Sequence, residues 1–249
     1  MLMIIIPARY QSSRFPGKPL ALLKGRPMIQ WVVERCRQAR LADRVLVATD
    51  DERIVQTVRE MGGEAELTKA DHASGTDRIA EVAGRHPDVS WLINVQGDEP
   101  DIAPALIDRL AEELQKSSAE TIVTACTPIT CLDDFLSPHV VKVVTDQAGR
   151  ALYFSRSAIP HHRDLAGKDL KFPNPCCRQH VGIYGFHRSF LQQLPALRPG
   201  ILEEMEKLEQ LRWLENGYRI QVVTTEYHSK GIDTPKDLTS LADRWEEKK

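Results

Sequence analysis

"MLMIIIPARYQSSRFPGKPL", residues 1–20, decides how the chain begins to fold. Its apolar run ends at Pro7 and opens into a loop that sets Arg9, Arg14 and Lys18 around Ser12, Ser13, Pro16 and Gly17. So short an apolar run, closed by a proline, reads as a buried strand. A helical period follows over Met28–Ala39, and the strand "RVLVAT" (44–49) precedes the helical "DDERIVQTVREMG" (50–62). The strand "VSWLINV" (89–95) then leads to a helix starting near Pro104. This βαβ rhythm predicts a mostly parallel central sheet covered by helices on both faces. Ligands in such sheets lie beyond the carboxyl ends of the strands, so the residues just after each strand matter most.

The second half changes character. "TIVTACTPI" (121–129), "VVKVVTD" (140–146), "ALYFSR" (151–156) and "HVGIYGF" (180–186) read as strands with few helices between them, and "DQAGR" (146–150) as a hairpin turn. They add antiparallel strands to the sheet or form a small antiparallel lobe over about 130–190, within a single domain spanning 1–249. Residues 161–179 show no clean period and are expected to be a mobile loop. One helix is predicted over about 202–216, with Leu202, Met205, Leu208 and Leu211 along one stripe and a stop at Gly217. The strand "YRIQVVTT" (218–225) and a last helix starting at Pro235 close the chain.

Composition sets outer bounds. Apolar residues make up 42% and charged residues 27% of 249, the balance of a folded protein. Lys+Arg 33 against Asp+Glu 35 leaves no global basic field for a nucleic acid backbone, so anion binding must be local. No stretch approaches the roughly 20 apolar residues that span a bilayer. The run Met1–Ile6 lacks the positive segment and the length of a signal peptide, so a cytoplasmic home is expected. Five cysteines without a CxxC pair or a zinc pattern fit reduced thiols.

Four segments carry candidate chemistry. The opening loop is either a polyphosphate cradle, with backbone N–H groups and three cations, or a solvated basic loop; it is not a Walker loop, because Pro19 follows Gly17-Lys18. In "NVQGDEP" (94–100), Asp98 and Glu99 stand at the carboxyl edge of the sheet, where a carboxylate can hold magnesium, or the motif is simply a good turn. Gln96 faces either core or ligand. In "GIDTPKDL" (231–238), Thr234, Pro235 and Asp237 suit the N-cap, N1 and N3 of the last helix, which leaves Asp233 for a metal shared with Asp98 or for the surface. In "HASGTDRI" (72–79), Ser74 and Asp77 fit a capping box, and Arg78 falls in the first helical turn, where it calls for an anion or a carboxylate. Further on, Glu206 and Glu209 are spaced to share one helix face.

Taken together, "IIPARYQSSRFPGKPL", "VATDDERI", "DHASGTDRIAEV", "INVQGDEP", "VKVV", "ALYFSRSAIP", "HVGIYGF", "LEEMEKLEQLR" and "GIDTPKDL" resemble, in order and over nearly the whole chain, the 3-deoxy-manno-octulosonate cytidylyltransferases, or CMP-KDO synthetases. The opening loop and QGDEP would suit several sugar nucleotidyltransferases; SGTDR, YFSR, HxGIYG and LEQLR are more specific. The resemblance implies a Rossmann-like nucleotidyltransferase fold, a cytoplasmic homodimer, Mg2+, and CMP transfer from CTP to KDO for lipopolysaccharide assembly. By motif position, Arg9, Ser13, Arg14 and Lys18 would bind the triphosphate. His72, Ser74, Gly75 and Arg78 would lie near the nucleotide, and Asp98 and Asp233 would hold the metal. Gln96, Arg156, His180, Tyr184, Glu209 and Gln210 would line the sugar-acid pocket. Lys18, Arg14, Asp98 and Asp233 are the residues expected to carry catalysis. Residues 161–179 match no family motif, and "YHSKG" departs from the glycine-rich sequence expected before Ile232. The rival readings are activation of another acid sugar, a nucleotide-binding scaffold without catalysis, and a glycosyltransferase, the last weakened because QGDEP lacks a DxD pair.

Overall fold

A computed structural model describes residues 1–11, 15–163, 170–228 and 231–247. The chain alternates as the sequence predicts. Strand β1 (Leu2–Ala8) is followed by the two-residue strands β2 (Leu22–Leu23) and β3 (Arg26–Pro27), helix α1 (Met28–Cys36), β4 (Arg44–Thr49) and α2 (Glu52–Glu60). Next come β5 (Glu64–Leu67), α3 (Gly75–Arg85), β6 (Trp91–Asn94), α4 (Pro104–Lys116) and β7 (Thr121–Pro128). The remainder comprises α5 (Leu132–Leu136), β8 (Lys142–Thr145), β9 (Ala151–Ser155), β10 (Arg178–His187), α6 (Arg188–Leu191), α7 (Ile201–Glu206), α8 (Glu209–Glu215), β11 (Arg219–Thr224) and α9 (Pro235–Glu247).

The main path of the sheet runs β11-β7-β10-β6-β1-β4-β5. Strand β1 is parallel to both β4 and β6, while β10 runs antiparallel between β6 and β7. The antiparallel pair β8–β9 joins the same sheet where Lys142 of β8 faces Gln179 of β10. The turn between them uses Gly149 at φ +78°, as the hairpin reading of "DQAGR" requires.

Alternation along β1 shows why the sheet is covered twice. Leu2, Ile4, Ile6 and Ala8 pack with Val32 of α1, Val55 of α2 and Leu110 of α4. Met3 and Ile5 point the other way, toward Ile79 of α3, Phe190 of α6 and Trp213 of α8. Because β1 connects to β4 on one side and has β6 on the other, the strand order reverses there, which opens a crevice at their carboxyl ends.

Two expectations are corrected. The loop expected over 161–179 ends earlier, because Arg178 and Gln179 already pair with β7 as the start of β10. The helix expected over 202–216 is two helices, α7 and α8, parted at Lys207, whose φ of 54° is left-handed and ends a helix. Met205, expected on the buried stripe, is 77% exposed, while Leu208 and Leu211 are buried. Glu206 and Glu209 therefore do not share a face. Arg212 is salt-bridged to Glu203 across the break, at 2.6 Å.

Close approach of backbones fixes the crevice. A Cβ on Gly97 would lie 2.8 Å from the Pro7 carbonyl oxygen, so the loop after β6 can sit against β1 only without a side chain. Gly97→Ala should push the loop after β6 away from β1 and cost about 1–3 kcal/mol, as overpacking does, measured by urea unfolding. An unchanged midpoint would contradict this close packing.

Candidate active site

Lys18, Asp98 and Asp233 come from three distant places and meet at the crevice. The loop after β1 turns at Gly17, φ +70°, whose N–H donates to the Tyr10 carbonyl at 2.8 Å. This turn aims Lys18, the first residue of a short 3-10 helix, back across the crevice. Its Nζ donates to Asp98 Oδ2 at 2.7 Å and to the Ile232 carbonyl at 2.9 Å, and lies 3.8 Å from Asp233 Oδ1. Asp98 is placed by β6 and tied by its own carbonyl to the N–H of Ile232 at 3.0 Å. Asp233 stands just before α9, whose cap uses its N–H, donated to Asp237 Oδ2 at 3.2 Å, but not its side chain. Thr234 N–H donates to Asp237 Oδ2 at 2.8 Å, and Asp237 N–H donates to Thr234 Oγ1 at 3.3 Å.

An open cavity of about 340 Å3 lies against this group, and Arg9, Lys18, Gly75, Gln96 and Asp98 are part of its wall. Arg9 donates through Nη2 to the His72 carbonyl at 2.8 Å, and the His72 ring is hydrogen-bonded to Glu81. Ser74 is the N-cap of α3: its Oγ accepts from Asp77 N–H and Asp77 returns the bond, both at 3.1 Å. Gly75 follows as the first helical residue and faces the cavity. Ser13 and Arg14 lie outside the described residues, as do 164–169 of the expected loop.

Arg78 answers its misplaced charge inside the protein. Its side chain is 0% exposed, and it donates to Asp50 at 3.1 Å and to Thr68 Oγ1. Burial lowers its pKa while Asp50 opposes that shift. Arg78 thus stands behind the wall of the cavity, where it fixes the loops after β4 and β5.

Of the sugar-pocket candidates, Gln96 is part of the cavity wall, Tyr184 and Gln210 are buried, and His180 packs beside Tyr184. Gln96 Nε2 donates to the Gly182 carbonyl of β10 at 3.2 Å. Glu209 accepts from Thr76 Oγ1 at 2.6 Å; burial raises its pKa against the lowering by Thr76 and Ser74. Tyr184 is 7% exposed, and burial together with Glu209 drives its phenol up. Gln210 is buried at 4% exposure. The His180 ring packs between Phe154 and Tyr184, with centroids 4.9 and 5.5 Å away, and its Nε2 is 2.9 Å from Thr124 Oγ1. Arg156, at the end of β9, donates from Nε to the Glu206 carbonyl at 2.8 Å and from Nη1 to the Pro138 carbonyl at 3.1 Å.

Enclosure of the His180 ring pushes its pKa down to about 3 from an ordinary 6.5. Between those values the unfolded chain binds a proton here that the folded chain does not. The stability from this site is therefore complete above the upper value and is lost as pH falls through the window. Melting temperature should drop more steeply from about pH 7 to about pH 4 in the wild type than in His180→Gln. Equal slopes would contradict a buried neutral ring.

Sequence reasoning missed the roles of four supporting residues. Asp50 follows β4 directly, so the strand-end rule that singled out Asp98 could have found it. Lys142, a cation within "VVKVV", is 0% exposed and donates to the carbonyls of Ser137, Val140 and Arg156. Glu206 accepts from Ser155 Oγ at 2.5 Å and from Arg156 N–H at 2.9 Å, which sets the backbone that carries Arg156. Thr76 had no signal of its own, since its partner lies 133 residues away.

The chain matches the cytidylyltransferase family over residues 3–220. The 3-deoxy-manno-octulosonate cytidylyltransferase of Geotalea daltonii is 54% identical over 244 residues, 96% of each chain. That of Pelobacter propionicus is 51% identical over 245 residues, 97% of this chain and 96% of its own. A solved structure of CMP:2-keto-3-deoxy-manno-octonic acid synthetase complexed with CTP superposes with a TM-score of 0.91 at 39% identity, covering 100% of this chain and 99% of that one.

Proposed function

Because the chain belongs to the 3-deoxy-manno-octulosonate cytidylyltransferase family, we propose that it transfers CMP from CTP to 3-deoxy-D-manno-octulosonate (KDO), giving CMP-KDO and pyrophosphate and so activating KDO for lipopolysaccharide assembly. The observation that carries this reading is the convergence of Lys18, Asp98 and Asp233 beside a cavity at the point where the strand order reverses.

Asp98 and Asp233 would hold Mg2+. Two carboxylates at an open site suit this ion, which keeps its other positions for water and phosphate oxygens. Among the described residues no group of three or more His, Cys, Asp and Glu gathers into a zinc-like cage. When bound, the ion would polarise the phosphate and acidify the attacking sugar hydroxyl.

The protein's own part is positioning and neutralisation. Arg9 and Lys18, with Ser13 and Arg14 of the same loop, would bind the triphosphate, and Lys18 would offset charge on the departing pyrophosphate. Ser74 and Gly75 present the start of α3 to the nucleotide, with His72 beside them; Arg78 acts through Asp50. Gln96, His180, Tyr184, Glu209 and Gln210 would shape the sugar pocket, and Arg156 would pair with the sugar carboxylate. The anomeric oxygen forms a bond to the α-phosphorus as the bond from that phosphorus to the β-phosphate bridge breaks. Its proton leaves to water.

No helix among the described residues is long and apolar enough to cross a membrane. We place the enzyme in the cytoplasm as a homodimer that uses the β-rich segment 130–190. Leu136 and Leu152 of that segment are 58% and 63% exposed, and among the described residues β9 pairs only with β8 in the sheet. Incubation with CTP, KDO and Mg2+ should yield a sugar phosphodiester seen by phosphorus NMR; CTP left intact would count against the reading.

A further inference from the structure

We propose that the Lys18 ammonium is a tethered stand-in for the divalent cation, holding Asp98 and Asp233 together until nucleotide and metal arrive. This rests on the reading that the two aspartates bind metal. Lys18 is within 2.7 Å of one carboxylate, 3.8 Å of the other and 2.9 Å of the Ile232 carbonyl. All three contacts are oxygens, the donors a hard cation takes. The side chains of Lys18 and Asp98 are 16% and 29% exposed, so their attraction is only partly screened.

A cation in this position has two effects. Without it, two carboxylates drawn from the ends of β6 and the loop before α9 would repel each other across the crevice. With it, a free divalent ion meets a positive charge already in place. A triphosphate resolves the conflict, because its oxygens attract the ammonium and leave both aspartates to the metal. Lys18 thereby couples metal binding to nucleotide binding: the ion is held weakly alone and firmly with the triphosphate.

The inference is tested without substrates, by following free Mn2+ with electron paramagnetic resonance as it is titrated into purified protein. A unit charge about 4 Å from a divalent ion is worth about 2–8 kcal/mol between water-like and surface dielectrics, twice the value for two unit charges. Lys18→Met should therefore bind Mn2+ at least about thirtyfold more tightly than the wild type, that lower energy converted by RT. Lys18→Gln, a neutral hydrogen-bonding variant, carries the test if the methionine variant fails to fold by circular dichroism. Lys18→Arg, which keeps the charge, should bind no more tightly than the wild type. Equal or weaker binding in the neutral variants, absent binding in all, or tightening in the arginine variant would each overturn the proposal. Absent binding in all would also remove the aspartates' metal role, whereas equal binding would leave that role and the transfer reading standing.

Discussion

Asp98→Asn should leave the fold intact and lower turnover by at least about 10²-fold, the scale on which losing one preorganised electrostatic group acts in an active site. The asparagine amide keeps the shape of the side chain, and the Asp98 main chain keeps its tie to Ile232. What disappears is a negative charge. A neutral amide is a poorer magnesium ligand, and it no longer balances the ammonium of Lys18 at 2.7 Å. Circular dichroism should therefore match the wild type while pyrophosphate release collapses. Wild-type turnover at saturating magnesium would sink the assignment of Asp98.

Arg78→Met should have the largest effect on stability, a loss of about 3 kcal/mol, at the lower end for removing one partner of a buried pair. Arg78 is fully buried and Asp50 is 15% exposed, so the variant leaves a carboxylate largely out of water with its main counter-charge gone. Tyr10 N–H remains near Asp50, at 3.4 Å, as a weak substitute. For a chain this long the loss corresponds to a melting temperature lower by about 6–12 °C. Asp50→Asn together with Arg78→Met should restore part of it, because no buried charge is then left alone. A single variant within about 1 kcal/mol of the wild type would show that the pair does not hold these loops.

The fold was legible where local pattern carries it. The apolar run from Leu2, the periods of α1 and α2, the capping box before α3, the proline that opens α4 and the glycine of the β8–β9 turn each place an element or its start within a few residues. The cap read in "GIDTPKDL" also held: Thr234 and Asp237 close it, and Asp233 lies 3.8 Å from Lys18. The break at Lys207 was illegible, because the leucines around it keep a helical spacing while the contacts of Glu206 with the distant Ser155 and of Glu203 with Arg212 across the break set the backbone. The same limit hid the partners of the candidate residues. Strand ends told which side chains reach the crevice, but Asp50 with Arg78 and Thr76 with Glu209 become neighbours only through the sheet order. Arg78 was therefore readable as a cation in need of a carboxylate, though not as one buried behind the cavity.

The central claim is tested most directly by pyrophosphate release, measured for each of the four nucleoside triphosphates, with and without magnesium, against KDO and related acid sugars. Release that requires CTP, KDO and magnesium together is the expected result. Release with another triphosphate, with another acid sugar in preference to KDO, or undiminished without magnesium would contradict it.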